Sequence, residues 1–264
     1  MSKLALCVGI DYVGTGSDLP DCVIDANDWA AALNARGFEV EKLLDAQATK
    51  AALTSAIRAL ISKLKYGDLG IFSYSGHGTW TPDLDGDEKD HRDEALCPID
   101  VFTIGPLVDD ELAEIFSERE RGSRVIFISD SCHSGTVSRF MSVRSSCSER
   151  SQRRVRFMPP EVFLKAEKLK KAEAVAALPS TGRILASSSV LLMAGCTDSQ
   201  YSYSTGTNGA FTRAALDALA DNPLSYMDWQ RGIRSRLPTR EYPQEPMITG
   251  PKYMRRWGAL EEGR

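Results

Sequence analysis

Short apolar runs alternate along this chain with stretches in which apolar residues recur every third or fourth position. Leu4–Ile10 reads as a buried strand. Val23, Ala26, Trp29, Ala30 and Leu33 then share one face of a helix that Gly37 ends. Phe38, Val40 and Leu43 suggest a second strand. Thr49 is placed to cap a helix carrying Leu53, Ile57, Leu60, Ile61 and Leu64 on one side, which Gly67-Asp68 breaks. Leu69–Tyr74 and Arg124–Ser129 read as third and fourth strands, with a helix from about Asp109 to Glu118 between them. This βαβα order predicts an α/β fold: a mainly parallel central sheet, helices on both faces, and functional residues in loops beyond the carboxyl ends of the strands. The rhythm breaks after residue 138. Ser, Arg and Lys clusters, Pro159-Pro160 and a short Lys/Glu/Ala-rich helix over Val162–Ala177 read as a basic, mobile loop spanning 139–182. Arg183–Cys196 restores strand character, and further helices start near Asn208 and Met227. No internal repeat interrupts the pattern, so residues 1–264 read as a single domain.

Composition narrows the class. The hydrophobic fraction of 42% and charged fraction of 26% are those of an ordinary globular protein. No apolar run approaches the length needed to cross a bilayer, so no membrane association is expected. The apolar N-terminus runs directly into strand-like sequence without a cleavage site, which argues against a signal peptide. Six cysteines are scattered without CxxC pairs, as in a reducing compartment, and a cytoplasmic location is expected. Cys7 and Cys196, inside apolar runs, read as core thiols. The net charge of −4 hides an asymmetry: Arg139–Lys171 holds ten Lys/Arg against three Glu, so an acidic body carries a basic loop. Only Phe140, Phe157 and Phe163 interleave with those cations, too few aromatics for a nucleic-acid surface, and no nucleic-acid partner is expected.

Two short segments carry chemistry. In Ser73-Tyr-Ser-Gly-His77-Gly78, a histidine flanked by glycines leaves a strand end. In Asp130-Ser-Cys132-His-Ser-Gly135, a cysteine does the same, 55 residues later. A cysteine is a nucleophile as thiolate, and a nearby imidazole both lowers its pKa and shuttles the proton to a leaving amine. Adjacent strands would bring His77 and Cys132 together. The backbone N–H groups of Gly78 and Cys132 are candidates for holding an oxyanion. His91, in a charged loop, and His133, pointing away from its neighbour, read as bystanders.

Those two motifs, in this order and spacing, resemble the His and Cys motifs of caspase-like peptidases, specifically metacaspases and the prokaryotic orthocaspases. The spacing agrees with the histidine that precedes a caspase cysteine by ~50 residues. The resemblance runs from Leu4 to about Gly250 and implies a caspase-haemoglobinase fold. It also implies a cysteine endopeptidase acting on protein or peptide substrates through a Cys132–His77 dyad, as a monomer. Asp130 stands two residues before the nucleophile, where a carboxylate repels acidic side chains and invites Arg or Lys at P1, the residue before the cut bond. By similarity the P1 pocket would contain Cys22, Asp25, Ser75 and Asp130, although Asp25 read alone is a first-turn helix carboxylate. An enzyme of that specificity carries Arg139, Arg144, Arg150, Arg153, Arg154 and Arg156 just after its own active site, so self-processing in this loop is expected. Two alternatives remain open: an Asp-specific caspase, and a caspase-like scaffold or pseudo-protease that acts by binding.

A metal is the last question. Asp83–Glu94 is dense with carboxylates, but its glycine stands at the fourth rather than the sixth position of an EF-hand loop, and a strand precedes it. Its Asp-x-Asp-Gly does not directly follow the first strand, as a phosphatase nucleophile of the haloacid-dehalogenase type would. The resemblance implies Ca²⁺ ligands at Asp93, Asp109 and Asp110. The fourth such position is Arg139, a cation that weakens a hard-ion site, so no cofactor is expected to be required. Asp109 and Asp110 also read as caps of the helix they open.

Overall fold

The computed structural model describes residues 1–83, 92–132, 154–165, 190–197 and 200–261. Six strands form the central sheet: β1 (Lys3–Gly9), β2 (Glu39–Leu44), β3 (Leu69–Ser75), β7 (Arg124–Asp130), β9 (Leu191–Ala194) and β11 (Met247–Thr249), in the order β11-β9-β7-β3-β1-β2. All neighbours are parallel except β11, which runs antiparallel to β9. Each residue of β3 and β7 is buried, which is why both read as continuous apolar runs rather than as alternating ones.

Alternate residues of these strands feed two cores. Leu6, Val8, Phe72, Tyr74, Val125 and Phe127 pack against α2 (Lys50–Lys63) and α3 (Asp109–Ser117). Ala5, Cys7, Leu69, Ile71, Ile126 and Ile128 pack against α1 (Cys22–Asn34), α4 (Ala210–Ala220) and α5 (Tyr226–Arg234). Phe72 and Phe127 stack at 4.8 Å between ring centroids across the β3–β7 pair, tying the two strands that lead to His77 and Cys132. Thr49 caps α2 through its hydroxyl, 3.2 Å from the Ala52 amide. Among the described residues no helix is long and apolar enough to cross a membrane.

A second, antiparallel sheet of β4 (Gly78–Pro82), β5 (Arg92–Leu96) and β6 (Leu107–Val108) has no counterpart in the sequence reading, where mixed polarity and the acidic stretch hid the hairpin. The helix expected from Val162 does not start there: Pro160–Val162 is a single 3₁₀ turn begun by two prolines, and residues 166–189 lie outside the described residues. So do His91, His133, Arg139, Arg144, Arg150 and Arg153. Residues 154–165 of the basic loop are packed onto the molecule. There β8 (Arg154–Val155) pairs antiparallel with β10 (Tyr203–Ser204).

Candidate active site

Strand register aligns the two chemical motifs. Ser75 of β3 is paired with Asp130 of β7, so two further residues along each strand lead to His77 and Cys132. The turn to His77 needs Gly76, since a Cβ there would lie 2.7 Å from the Tyr74 hydroxyl. The His77 backbone is held at both ends: its N–H donates to the Tyr12 hydroxyl at 3.2 Å, and its carbonyl accepts from Tyr74 at 2.8 Å. The Tyr12 ring lies 4.8 Å from the imidazole.

His77 Nε2 is 2.7 Å from the Ser17 carbonyl. A carbonyl only accepts, so this contact puts the ring proton on Nε2 and leaves the lone pair on Nδ1, which is buried without a hydrogen-bond partner. Burial lowers the His77 pKa from 6.5 to about 4, the Ser17 contact opposes it, and the cations of Arg156 and Arg154 add to it. A histidine buried neutral is protonated first in the unfolded chain, so folding stability falls as pH drops from 6.5 towards 4. The expected contribution is roughly 3 kcal/mol. Asp25 titrates with the opposite sign, its pKa pushed up to about 7 by burial against the pull of Arg156. Urea midpoints of the parent and of His77→Gln, compared from pH 7 to pH 4, isolate the histidine. The gap between them should change in favour of the variant on acidification.

Cys132 is fully buried. Its thiol lies 3.5 Å from the Ser202 carbonyl, takes the Ser202 N–H, and sits 4.0 Å from Cys196 Sγ. The Cys132 and Gly78 amides converge on one atom, the carbonyl oxygen of Arg156, at 3.1 and 3.0 Å. The Arg156 amide in turn donates to the Ser202 carbonyl at 3.0 Å. A stretch of the basic loop therefore lies in the cleft in an extended conformation.

The Arg156 side chain, fully buried, fills an anionic pocket. Its Nη2 is 2.7 Å from Asp21 and 2.6 Å from Asp25, and its Nη1 is 3.2 Å from both Asp130 and the Ser75 hydroxyl. The carboxylates are fixed in turn. Asp25 accepts from Ser75, Asn208 and the Gly209 amide, and Asp130 accepts from Ser202 and from both the amide and hydroxyl of Thr212 in the first turn of α4. Asp21 accepts from Ser204 and from the Thr205 and Gly206 amides. Gly209 forms one wall, where a Cβ would come within 2.1 Å of Asp130 Oδ2 and 2.7 Å of the guanidinium carbon. Of the residues expected from sequence, Asp25, Ser75 and Asp130 meet here. Cys22 lies close enough to the guanidinium to interact with it electrostatically while also packing with Val8, Ile10 and Leu19, and the carboxylate of the preceding residue, Asp21, adds a further partner. Ser17, Asp21, Ser202, Asn208, Gly209 and Thr212 were not singled out from the sequence. Ser17 acts through a backbone carbonyl and has no side-chain signature, whereas Asp21, beside the quoted Cys22-Asp25 segment, was within reach.

The expected metal ligands stand apart from this pocket. Asp93 faces Thr81 across the β4–β5 pair, while Asp109 and Asp110 open α3, where negative charge complements the helix dipole. Glu111 in the same turn is 2.7 Å from Lys50 and accepts from the Val108 amide. Among the described residues no three His, Cys, Asp or Glu side chains form a metal-holding cluster.

Parallel strands that end in a histidine loop and a cysteine loop, with the cleft across their carboxyl ends, place the protein in the caspase-haemoglobinase fold class. The caspase-domain family matches residues 2–255, and the chain belongs to that family. It is similar to metacaspase-1A of Aspergillus terreus, 31% identical over 94% of this chain and 70% of the relative. It is also similar to metacaspase-1 of Schizosaccharomyces pombe, 29% identical over 94% of this chain and 67% of the relative. With metacaspase-1 of Cryptococcus neoformans the identity is 41%, and the match spans 51% of this chain and 32% of the relative. A crystal structure of a Geobacter sulfurreducens protein matches the whole of both chains, with a TM-score of 0.77 and 31% identity.

Proposed function

We propose that the protein is a cysteine endopeptidase that cuts after basic residues, with Cys132 as nucleophile and His77 as base. One observation carries the reading: the guanidinium of Arg156 sits among Asp21, Asp25 and Asp130 while its own carbonyl accepts from the Cys132 and Gly78 amides. A P1 residue has to satisfy both requirements at once. Cys132 gives its proton to His77 Nδ1 and the thiolate attacks the carbonyl carbon; the two amides stabilise the resulting oxyanion. His77 then protonates the leaving amine, and water releases the acyl group with His77 again as base. A planar guanidinium reaches all three carboxylates, which a point-charge ammonium cannot match, so Arg is preferred to Lys. The same carboxylates repel a P1 aspartate, against an Asp-specific caspase. The built nucleophile and oxyanion groups speak against a scaffold that only binds.

Fluorogenic peptides with Arg, Lys and Asp at P1 test this: turnover is expected in the order Arg, Lys, then none for Asp, and cleavage after Asp would sink the reading. Arg156–Phe157 is the bond proposed to be cut in the protein itself, since Arg156 is already seated. Intact-mass analysis of the incubated chain should show a fragment beginning at Phe157, absent from Cys132→Ala.

A further inference from the structure

The residue after Arg156 is as enclosed as the arginine. Phe157 is 3% exposed and packs with Trp80, Cys132, Cys196 and Tyr201, a cluster separate from the two cores that flank the sheet. Its ring centroid is 6.2 Å from that of Tyr201. The Arg92 guanidinium lies over the Trp80 ring, 4.7 Å from its centroid. Backbone contacts continue in step: the Met158 amide donates to the Gly78 carbonyl at 2.9 Å, and its carbonyl accepts from the Thr79 hydroxyl at 2.7 Å. The chain is thus laid on two strand edges, β10 before the Arg156 carbonyl and β4 after it. Strand-edge recognition of this kind takes its affinity from main-chain bonds and its selectivity from side-chain pockets.

We infer that Trp80, Tyr201 and Cys196 form a pocket for the residue directly following the cut (P1′), and that the pocket selects an aromatic side chain there. The inference rests on the P1 reading above, because Arg156 at P1 makes Phe157 the P1′ residue by covalent continuity. The walls belong to β4 and to the segment before β10, so they remain when Arg154–Met158 gives way to another peptide. An acidic or small P1′ residue would leave the aromatic walls facing a charge or a void, whereas phenylalanine or tyrosine fills them.

The test is a series of internally quenched peptides Arg-Val-Arg-Xaa-Met, with Xaa as Phe, Tyr, Ala or Glu, given to the full-length protein. The protein's own Arg154–Met158 competes equally with each, so ratios of kcat/KM are unaffected by it. Phe and Tyr are expected to exceed Ala by about tenfold or more, with Glu poorest. Tyr201→Ala should bring the Phe-to-Ala ratio of kcat/KM towards one, whatever its overall rate. The parent series decides the matter even if that variant fails to fold. Equal cleavage of all four peptides overturns the P1′ pocket and leaves the P1 reading intact, whereas cleavage of none overturns both.

Discussion

Cys132→Ala is expected to lower hydrolysis of Arg-terminated peptides by about 10⁴-fold or more, the scale on which loss of a nucleophile acts. The substitution removes one sulfur and nothing else from the site. Ser202 N–H loses its acceptor, but the two amides on the Arg156 carbonyl and the carboxylates on its guanidinium remain. The Ser202 carbonyl keeps the Arg156 amide and Cys196 keeps the Ser131 carbonyl, so the main structural cost is the Ser202 N–H left unpaired, about 1–3 kcal/mol, small beside the loss of rate. Thermal melts of the variant alongside peptide turnover separate the two effects. Turnover within tenfold of the parent, in a folded variant, would show that the chemistry lies elsewhere. His77→Ala should be similarly inactive, since the proposed base then has no substitute.

Asp130→Asn is expected to reduce kcat/KM for Arg peptides roughly 10²–10³-fold, because a buried cation that loses one charged partner forfeits about 3–5 kcal/mol. Asparagine keeps the shape and can still accept from Ser202 or Thr212, but its amide places a donor where the carboxylate faced the guanidinium. Gly209→Ala should give a comparable loss by a different cause, its Cβ 2.1 Å from Asp130 Oδ2. In both variants Cys132 should still be alkylated by a small reagent, so the defect is one of side-chain recognition. If Asp130→Asn still cleaved Arg peptides within a few-fold of the parent, the carboxylates would not be the P1 pocket.

Much of this arrangement was legible in the sequence, for physical reasons that differ by residue. The sheet follows from apolar runs, and the positions of His77 and Cys132 follow from motifs that leave two such runs in the same way. Asp130 could be read because a carboxylate beside a nucleophile has an immediate electrostatic meaning. The pocket's other carboxylates were harder. Asp25 looks like a helix-dipole residue and becomes a pocket residue only because α4 approaches from far along the chain and brings Asn208 and Gly209. Asp21 joins Cys22 as a residue near the guanidinium. Residue 21 precedes the first turn of α1 with φ of −140°, and Cys22 is the first helical residue, so the two share one corner of the fold. Which of six arginines enters the cleft was not legible at all. That depends on a two-residue pairing, Arg154–Val155 with Tyr203–Ser204, too short to leave a periodic trace.

Arg156 is joined covalently to the anionic pocket it fills. Its concentration at the site is set by the connecting chain rather than by the solution. Dilution leaves that value unchanged, and so does synthesis of more protein. A peptide from outside competes against a fixed local rival, so its apparent affinity for the intact chain understates what the emptied pocket offers. On the proposed reading, abundance would not set the resting state; whether Arg156 is still tethered on both sides would.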